Sequence, residues 1–331
     1  MRRWCTASAA LYLFSPGAGS YESTLPATNA VSPGMSAAAA AEWLEELEEI
    51  SVVAPEPRYA APTTRDRIGR VWVPVYLDAV GPFRLVLDTG AQRSAIVPDV
   101  VARLGLSMED AQPVLVHGAT GTAVTPTVQV NVLKVGDLWI QPARLPVVPD
   151  VFGGADGLLG MDGMQDRRIH IDFRADYVDI ARSRGQRAAR GYVTVPLLPD
   201  EQRVPSVSGE VAGVPVRVII DTGAQATVGN QALRRALRRQ VERNWRGEDE
   251  IFGATGDSQS GMGARISTIR LGDLQVRDAH VTFSDLHIFS RWGLTDTPAL
   301  LLGMDILGLT DALIIDYRRG ELQIRPRGGR S

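Results

Sequence analysis

The sequence predicts an all-β chain folded as two homologous lobes with short helices. The first observation behind this is a repeat: Leu85-Val86-Leu87-Asp88-Thr89-Gly90-Ala91-Gln92 recurs as Val218-Ile219-Ile220-Asp221-Thr222-Gly223-Ala224-Gln225. The second is that short β-branched runs, separated by Gly- and Pro-containing turns, surround both copies. The third is length, since 331 residues suggest about two domains.

The repeat extends well beyond that run. His117-Gly118-Ala119-Thr120-Gly121 is answered by Phe252-Gly253-Ala254-Thr255-Gly256, and Gly157-Leu158-Leu159-Gly160-Met161-Asp162 by Leu300-Leu301-Leu302-Gly303-Met304-Asp305. Each half closes on a strand-like segment, Ile169-His170-Ile171-Asp172-Phe173 and Leu313-Ile314-Ile315-Asp316-Tyr317. Order and residue type agree throughout, and spacing drifts slowly, as loop insertions would make it drift. Two copies are too few for a solenoid, so paired lobes are the reading.

Taken in order, residues 1–35 form a leader or disordered tail. Met1-Arg2-Arg3 followed by an apolar stretch and Ser15-Pro16-Gly17-Ala18 has the layout of a secretory signal, which points to a secreted or periplasmic protein. The alternative is a tail on a cytoplasmic chain. Residues 36–69 read as an acidic helix, Ser36 to Ile50, and a Pro-rich linker; Trp43, Leu47 and Ile50 share one helix face.

Lobe one spans residues 70–181. Val71 to Leu77 and Phe83 to Leu87 read as a hairpin turning at Val80-Gly81-Pro82, and Val97 to Leu104 as a short helix. Val124 to Val135 and Leu138 to Ile140 flank a Gly136-Asp137 turn. Residues 182–190 form an Arg-rich linker. Lobe two spans 191–326, followed by a tail over 327–331. It repeats the opening hairpin over Val207 to Val218, turning at Ala212-Gly213-Val214-Pro215, and the later one over Ile266 to Val276. Gln231 to Arg246 is an insertion that reads as one basic amphipathic helix.

Composition excludes several chemistries. Net charge of −3 gives no reason to expect nucleic acid. The only cysteine is Cys5, so the folded part has neither a disulfide nor a thiol nucleophile. His117, His170, His280 and His287 lack metal-ligand spacing, so no metal is expected. No segment reaches the ~18 consecutive apolar residues of a membrane span.

The paired motifs carry the chemistry. One Asp-Thr-Gly is as readily an ordinary turn. Two carboxylates, each supplied by half of a duplicated fold, can face each other; they cannot both ionise, so the pair holds one proton. The ionised member can take a proton from water while the protonated member donates to a carbonyl oxygen, without metal, thiol or serine. Gly90 and Gly223 let the loop turn tightly and bring N–H groups to the carboxylate. Thr89 and Thr222 can hydrogen-bond across the lobe contact. The Leu-Leu-Gly segments bring an apolar strand against the Asp loop, with glycine permitting close approach.

The Asp-Thr-Gly-Ala loop, the glycine-containing hairpin after it and the apolar-apolar-Gly-x-Asp segment together resemble the retropepsin-like aspartic proteases, in both halves and over roughly residues 70–326. The resemblance implies two closed β-barrel lobes arranged as a pepsin-like pseudo-dimer in one chain. It implies Asp88 and Asp221 as the catalytic dyad, Thr89 and Thr222 as an interlobe grip, and Gly118-Ala119-Thr120-Gly121 and Gly253-Ala254-Thr255-Gly256 as flap tips over a protein or peptide substrate. Gly160, Asp162, Gly303 and Asp305 become structural, the two acids as caps of short helices. No cofactor and no partner subunit is implied. Two departures stand out: Met161 and Met304 replace an arginine usual in retroviral members, and Gln92 and Gln225 stand where serine is common. The same fold also serves as a non-proteolytic peptide-binding or dimerisation module, which is the alternative reading.

Overall fold

The computed structural model describes residues 49–51, 70–109, 111–136, 138–199 and 204–327. The leader, nearly all of the acidic helix and the linker after it lie outside these residues. The chain is mostly β, with two retropepsin-like lobes and few short helices.

Each lobe begins with a hairpin whose second strand carries the Asp. In the first, Trp72–Leu77 pairs antiparallel with Val80–Leu87, Val73 opposite Leu85 and Val75 opposite Phe83. The turn falls at Asp78 and Ala79, not at Val80-Gly81-Pro82. Both residues have positive φ, 47° and 67°, the conformation a two-residue hairpin turn demands. Asp78 tolerates it because its carboxylate accepts from the Val132 and Asn131 N–H groups. In the second lobe Ser206–Val211 pairs with Val214–Ile220 around Ala212 and Gly213, so Val214 and Pro215 already belong to the strand.

The Asp-bearing strands are central. Val80–Leu87 runs parallel to Gly157–Leu159, and Val214–Ile220 parallel to Ala299–Leu302. Leu85, Val86, Leu87, Val218 and Ile220 are wholly buried, as continuous apolar runs covered on both faces should be. In the second lobe Ser206–Val211 also pairs with Ser258–Leu271, which closes six strands of a seven-stranded sheet into a barrel and leaves Trp245–Phe252 at its edge. The first lobe is built from a six-stranded and a four-stranded sheet, linked by a bridge between Ile96 and Val147.

The closing segments of the two halves pair with each other. Arg167–Asp172 lies antiparallel to Thr310–Asp316, His170 opposite Ile314, in a five-stranded sheet with Tyr177–Arg182, Glu321–Pro326 and Val193–Pro196. A buried core, from Val73 and Phe83 to Ile315 and Ile324, runs continuously beneath it.

Two helix expectations need correction. Gln231 to Arg246 is not one helix: Gln231–Ala236 and Arg238–Arg243 are separated at Leu237, and Trp245 starts a long strand. Asn230 caps the first by accepting from the Leu233 N–H at 2.9 Å. Leu233, Leu237 and Val241 are buried while Arg235, Arg238, Arg239 and Arg243 face solvent. The acidic helix does not reach Ile50, since Glu49–Ser51 is a strand parallel to Pro113–His117. Ile50 at its centre is β-branched and favours an available sheet edge over helix. Among the described residues no helix is long and apolar enough to cross a membrane.

Candidate active site

Each Asp sits where its strand ends. The Asp88 N–H donates to Leu159 O at 2.9 Å and the Asp221 N–H to Leu302 O at 3.1 Å, so the last ladder bond sets the loop against the Leu-Leu-Gly strand. The side chain then folds back on its own loop. Oδ1 of Asp88 accepts from the Gly90 and Ala91 N–H groups at 2.9 and 3.0 Å. Oδ1 of Asp221 accepts from Gly223 and Ala224, both at 2.9 Å. This is the local side-chain-to-backbone bonding that ends a strand in a turn.

The loops bring the two carboxyls face to face. Both aspartates are fully buried. Neither Oδ2 accepts from a protein N–H or O–H, and the two groups lie within hydrogen-bonding reach of each other. Gly90 and Gly223 are required by proximity rather than by turn conformation. A Cβ on Gly90 would lie 2.5 Å from Asp221 Oδ2, and one on Gly223 would overlap the Asp88 carboxyl. Each loop's glycine is the floor on which the other loop's carboxyl rests.

Thr89 and Thr222 lock this arrangement. The Thr89 N–H donates to Thr222 Oγ1 at 3.2 Å and the Thr222 N–H to Thr89 Oγ1 at 3.0 Å. Each hydroxyl then donates across the interface at 2.6 Å, Thr89 to Ile220 O and Thr222 to Leu87 O. All four bonds are buried, where an unmade bond would be costly.

Burial sets the electrostatics. It is the main cause holding both carboxyls above the usual range, and Asp221 is pushed up to about 7. Asp88 is raised well above its ordinary value, first by burial and then by the charge of Asp221. The loop N–H groups oppose this for both residues. Two buried carboxyls this close cannot both ionise, so the pair titrates as a unit and holds one proton.

Asp162 and Asp305 are not helix caps. No helix follows Gly160; in the second copy Met304–Leu307 is capped by Gly303, and Asp305 lies in its first turn. Both carboxylates instead brace the Asp loops. Asp162 Oδ1 accepts from Ser94 N at 3.1 Å and Ser94 Oγ at 2.7 Å; Asp305 accepts from Thr227 N at 3.0 Å and Thr227 Oγ1 at 2.7 Å. Each hydroxyl also accepts from the Gly160 or Gly303 N–H at 3.1 Å. Those glycines press so closely on Arg93 and Ala226 that a Cβ would strike backbone. Motif patterning alone does not single out Ser94 and Thr227. The signal was available: a hydroxyl residue stands at the same offset after each aspartate.

The flap tips meet each other. In the first, the Gly118 N–H donates to Gly121 O at 2.8 Å; the second is one residue longer, its Gly253 N–H donating to Asp257 O at 2.8 Å. Thr120 Oγ1 donates to Asp257 O at 3.1 Å, and Thr255 Oγ1 to Asp257 Oδ2 at 3.0 Å. Gly118 faces Thr255, Gly253 faces Thr120, and Gly121 faces Asp257. Asp257 therefore belongs with the tip residues Gly253, Ala254, Thr255 and Gly256. The first flap also docks on the second lobe: Ala119 O accepts from the Ile288 N–H at 3.3 Å, and Ala119 joins a buried cluster with Ala224, Ile251, Leu286 and Phe289.

Compared with known families, the chain matches the aspartyl protease profile twice, over residues 73–162 and again over 207–306. No curated protein matches the chain.

Proposed function

The chain belongs to the aspartyl protease family, and from that premise we propose that it is an aspartic endopeptidase with one active site between its two lobes, hydrolysing peptide bonds through Asp88 and Asp221. The observation that carries this reading is the facing pair of buried carboxyls, each with Oδ1 held by two loop N–H groups and Oδ2 left to its twin.

The chemistry follows from a pair that shares one proton. The ionised carboxyl takes a proton from a water held between the two, and that water's oxygen attacks the carbonyl carbon. The protonated carboxyl gives its proton to the carbonyl oxygen, forming a neutral gem-diol. Collapse of the diol returns a proton to the pair, breaks the C–N bond, and sends a proton to the leaving nitrogen. No covalent intermediate with the enzyme forms. The substrate enters as an extended strand, adding backbone hydrogen bonds to the flap strands Pro113–His117 and Trp245–Phe252. One chain supplies both aspartates, so the active species is a monomer.

The test is digestion of a peptide library by wild type beside Asp88→Asn and Asp221→Asn, each separately, at several pH values. Either substitution should lower kcat by at least ~10²–10⁴-fold, the usual worth of general acid–base catalysis, while folding and peptide binding persist. Full activity in either variant refutes the shared dyad. Peptide binding without cleavage by wild type supports a binding module instead. Sedimentation of the active species checks the monomer.

A further inference from the structure

A peptide that adds as a strand to the first flap has one edge available to it. Thr122–Val130 fills one side of Pro113–His117, with Leu115 opposite Val124 and His117 opposite Thr122. The other side is already taken by the chain itself. Glu49–Ser51 lies parallel along it, Glu49 beside Leu115, Ile50 beside Val116 and Ser51 beside His117, next to the Gly118 tip.

This strand is an addition to the duplicated fold rather than part of it. The family match begins at residue 73. The second flap lacks a counterpart: Trp245–Phe252 ends its sheet, pairing only with Ser258–Leu271 among the described residues. Trp245, Arg246, Glu248 and Glu250 are exposed along that strand. Among the described residues, a segment of the same chain pairs with the outer edge of the first flap strand and none with that of the second.

We propose that Glu49–Ser51 is a tethered occupant of the substrate strand site on the first flap, which keeps the enzyme self-blocked until a longer peptide strand displaces it. The inference rests on the reading that substrate adds to the flaps as a strand. Three residues form a strand too short to persist alone. Carried on the same chain as the flap, the segment meets it at an effective concentration on the order of millimolar, enough to hold a weak contact. A substrate that pairs with both flaps makes more ladder bonds and wins. The closed state fits such a block, since both catalytic carboxyls are fully buried and the flap tips are joined.

The experiment uses the full chain with Asp88→Asn, so that no probe is cut, alone and combined with Ile50→Pro or Ser51→Pro. Successive N–H groups of a strand point to opposite edges, so at least one proline must remove a ladder donor. The probe is a labelled synthetic peptide with the sequence of residues 45–56, read by fluorescence anisotropy. At least one proline variant should bind it roughly twofold or more tightly than the parent, since a weak competitor at millimolar effective concentration holds the site about half of the time. The amides of Leu115, Val116 and His117 should exchange faster in the same variant. Equal binding to all three chains, or binding to none, overturns the proposal. Cleavage plays no part in this readout, so failure of the protease reading leaves it intact. Library cleavage by wild type combined with equal probe binding would remove this inference alone.

Discussion

His117 Nδ1 lies 3.0 Å from His287 Nε2, and the two imidazole rings stack with their planes 6° apart. The contact fastens the base of the first flap to the helix His287–Arg291 of the second lobe, an element with no counterpart among the described residues of the first. An N–H···N bond needs one bare nitrogen, so it survives only while at least one ring is neutral. Burial, and then the charge of Arg291, lower the affinity of His287 for a proton. A base whose pKa is depressed in the fold stabilises the closed form above its free value of ~6.5, and that contribution is lost as pH falls below it. Amide exchange at Gly118–Gly121, corrected for its intrinsic pH dependence, should therefore quicken on going from pH 7.5 to 5.5. His287→Gln, which keeps a polar partner without titrating, should flatten the change.

The dyad carries the opposite kind of pH dependence. Asp221 is held at about 7 by burial, whereas a carboxyl in the unfolded chain titrates near ~3.9. Between those values the folded protein retains a proton that the unfolded chain releases, so stability falls as pH rises through this window. Asp221→Asn removes the effect. Its Tm should exceed that of wild type at pH 7.5, by on the order of 2–4 °C for each kcal/mol recovered. The gap should close near pH 4. A constant gap across pH would mean that the carboxyl is not titrating there.

The threonine grip predicts an asymmetry between isosteres. Thr89→Val keeps the shape but strips Ile220 O and the Thr222 N–H of their partner. Each buried group left unpaired costs about 1–3 kcal/mol. Thr89→Ser retains both bonds and should lie close to wild type in denaturant melts.

Asp162 and Ser94 should respond to geometry rather than charge. Asn offers the same Oδ1 to the Ser94 N–H and hydroxyl, and it avoids burying a carboxyl whose pKa is raised by desolvation. Asp162→Asn should be near neutral in stability and activity. Asp162→Ala strands both donors, should cost about 1–3 kcal/mol, and should lower kcat through a loosened loop. Asp305 and Thr227 should repeat the pattern.

Gly223→Ala tests the close approach of the loops. The new methyl group would occupy the space of the Asp88 carboxyl. A displacement of about 1 Å at the reacting groups is expected to cost on the order of 10²-fold in kcat. Circular dichroism should show the fold retained.

Much of the candidate site was legible because it is written twice. Asp88, Thr89 and Gly90 recur in order as Asp221, Thr222 and Gly223, and the same duplication marks the flap glycines and the Leu-Leu-Gly strands. Ser94 and Thr227 were equally repeated but differ in residue type. Their role emerges only when Asp162 and Asp305 stand beside them. The Asp78-Ala79 turn was hidden because neither residue is glycine, and Gly81-Pro82 next to it carries the stronger local signal. The basic stretch reads as one helix because helical periodicity continues past Leu237, but pairing with Ser258–Leu271 draws Trp245 and Arg246 into a strand.

By itself the sequence determined the two lobes, the strands that end in aspartate and the identity of the facing pair, because duplication and apolar patterning are properties of residue order. Tertiary structure alone decided how those parts share partners. It crossed the closing strands, so that Ile169 faces Ile315 of the other half on one side and Ile180 of its own half on the other. It set Gly90 against Asp221 and Gly223 against Asp88, and it laid Glu49–Ser51 on the flap. A sheet edge accepts any strand that reaches it, since backbone hydrogen bonds do not read side chains; which strand arrives depends on where the rest of the chain has already packed.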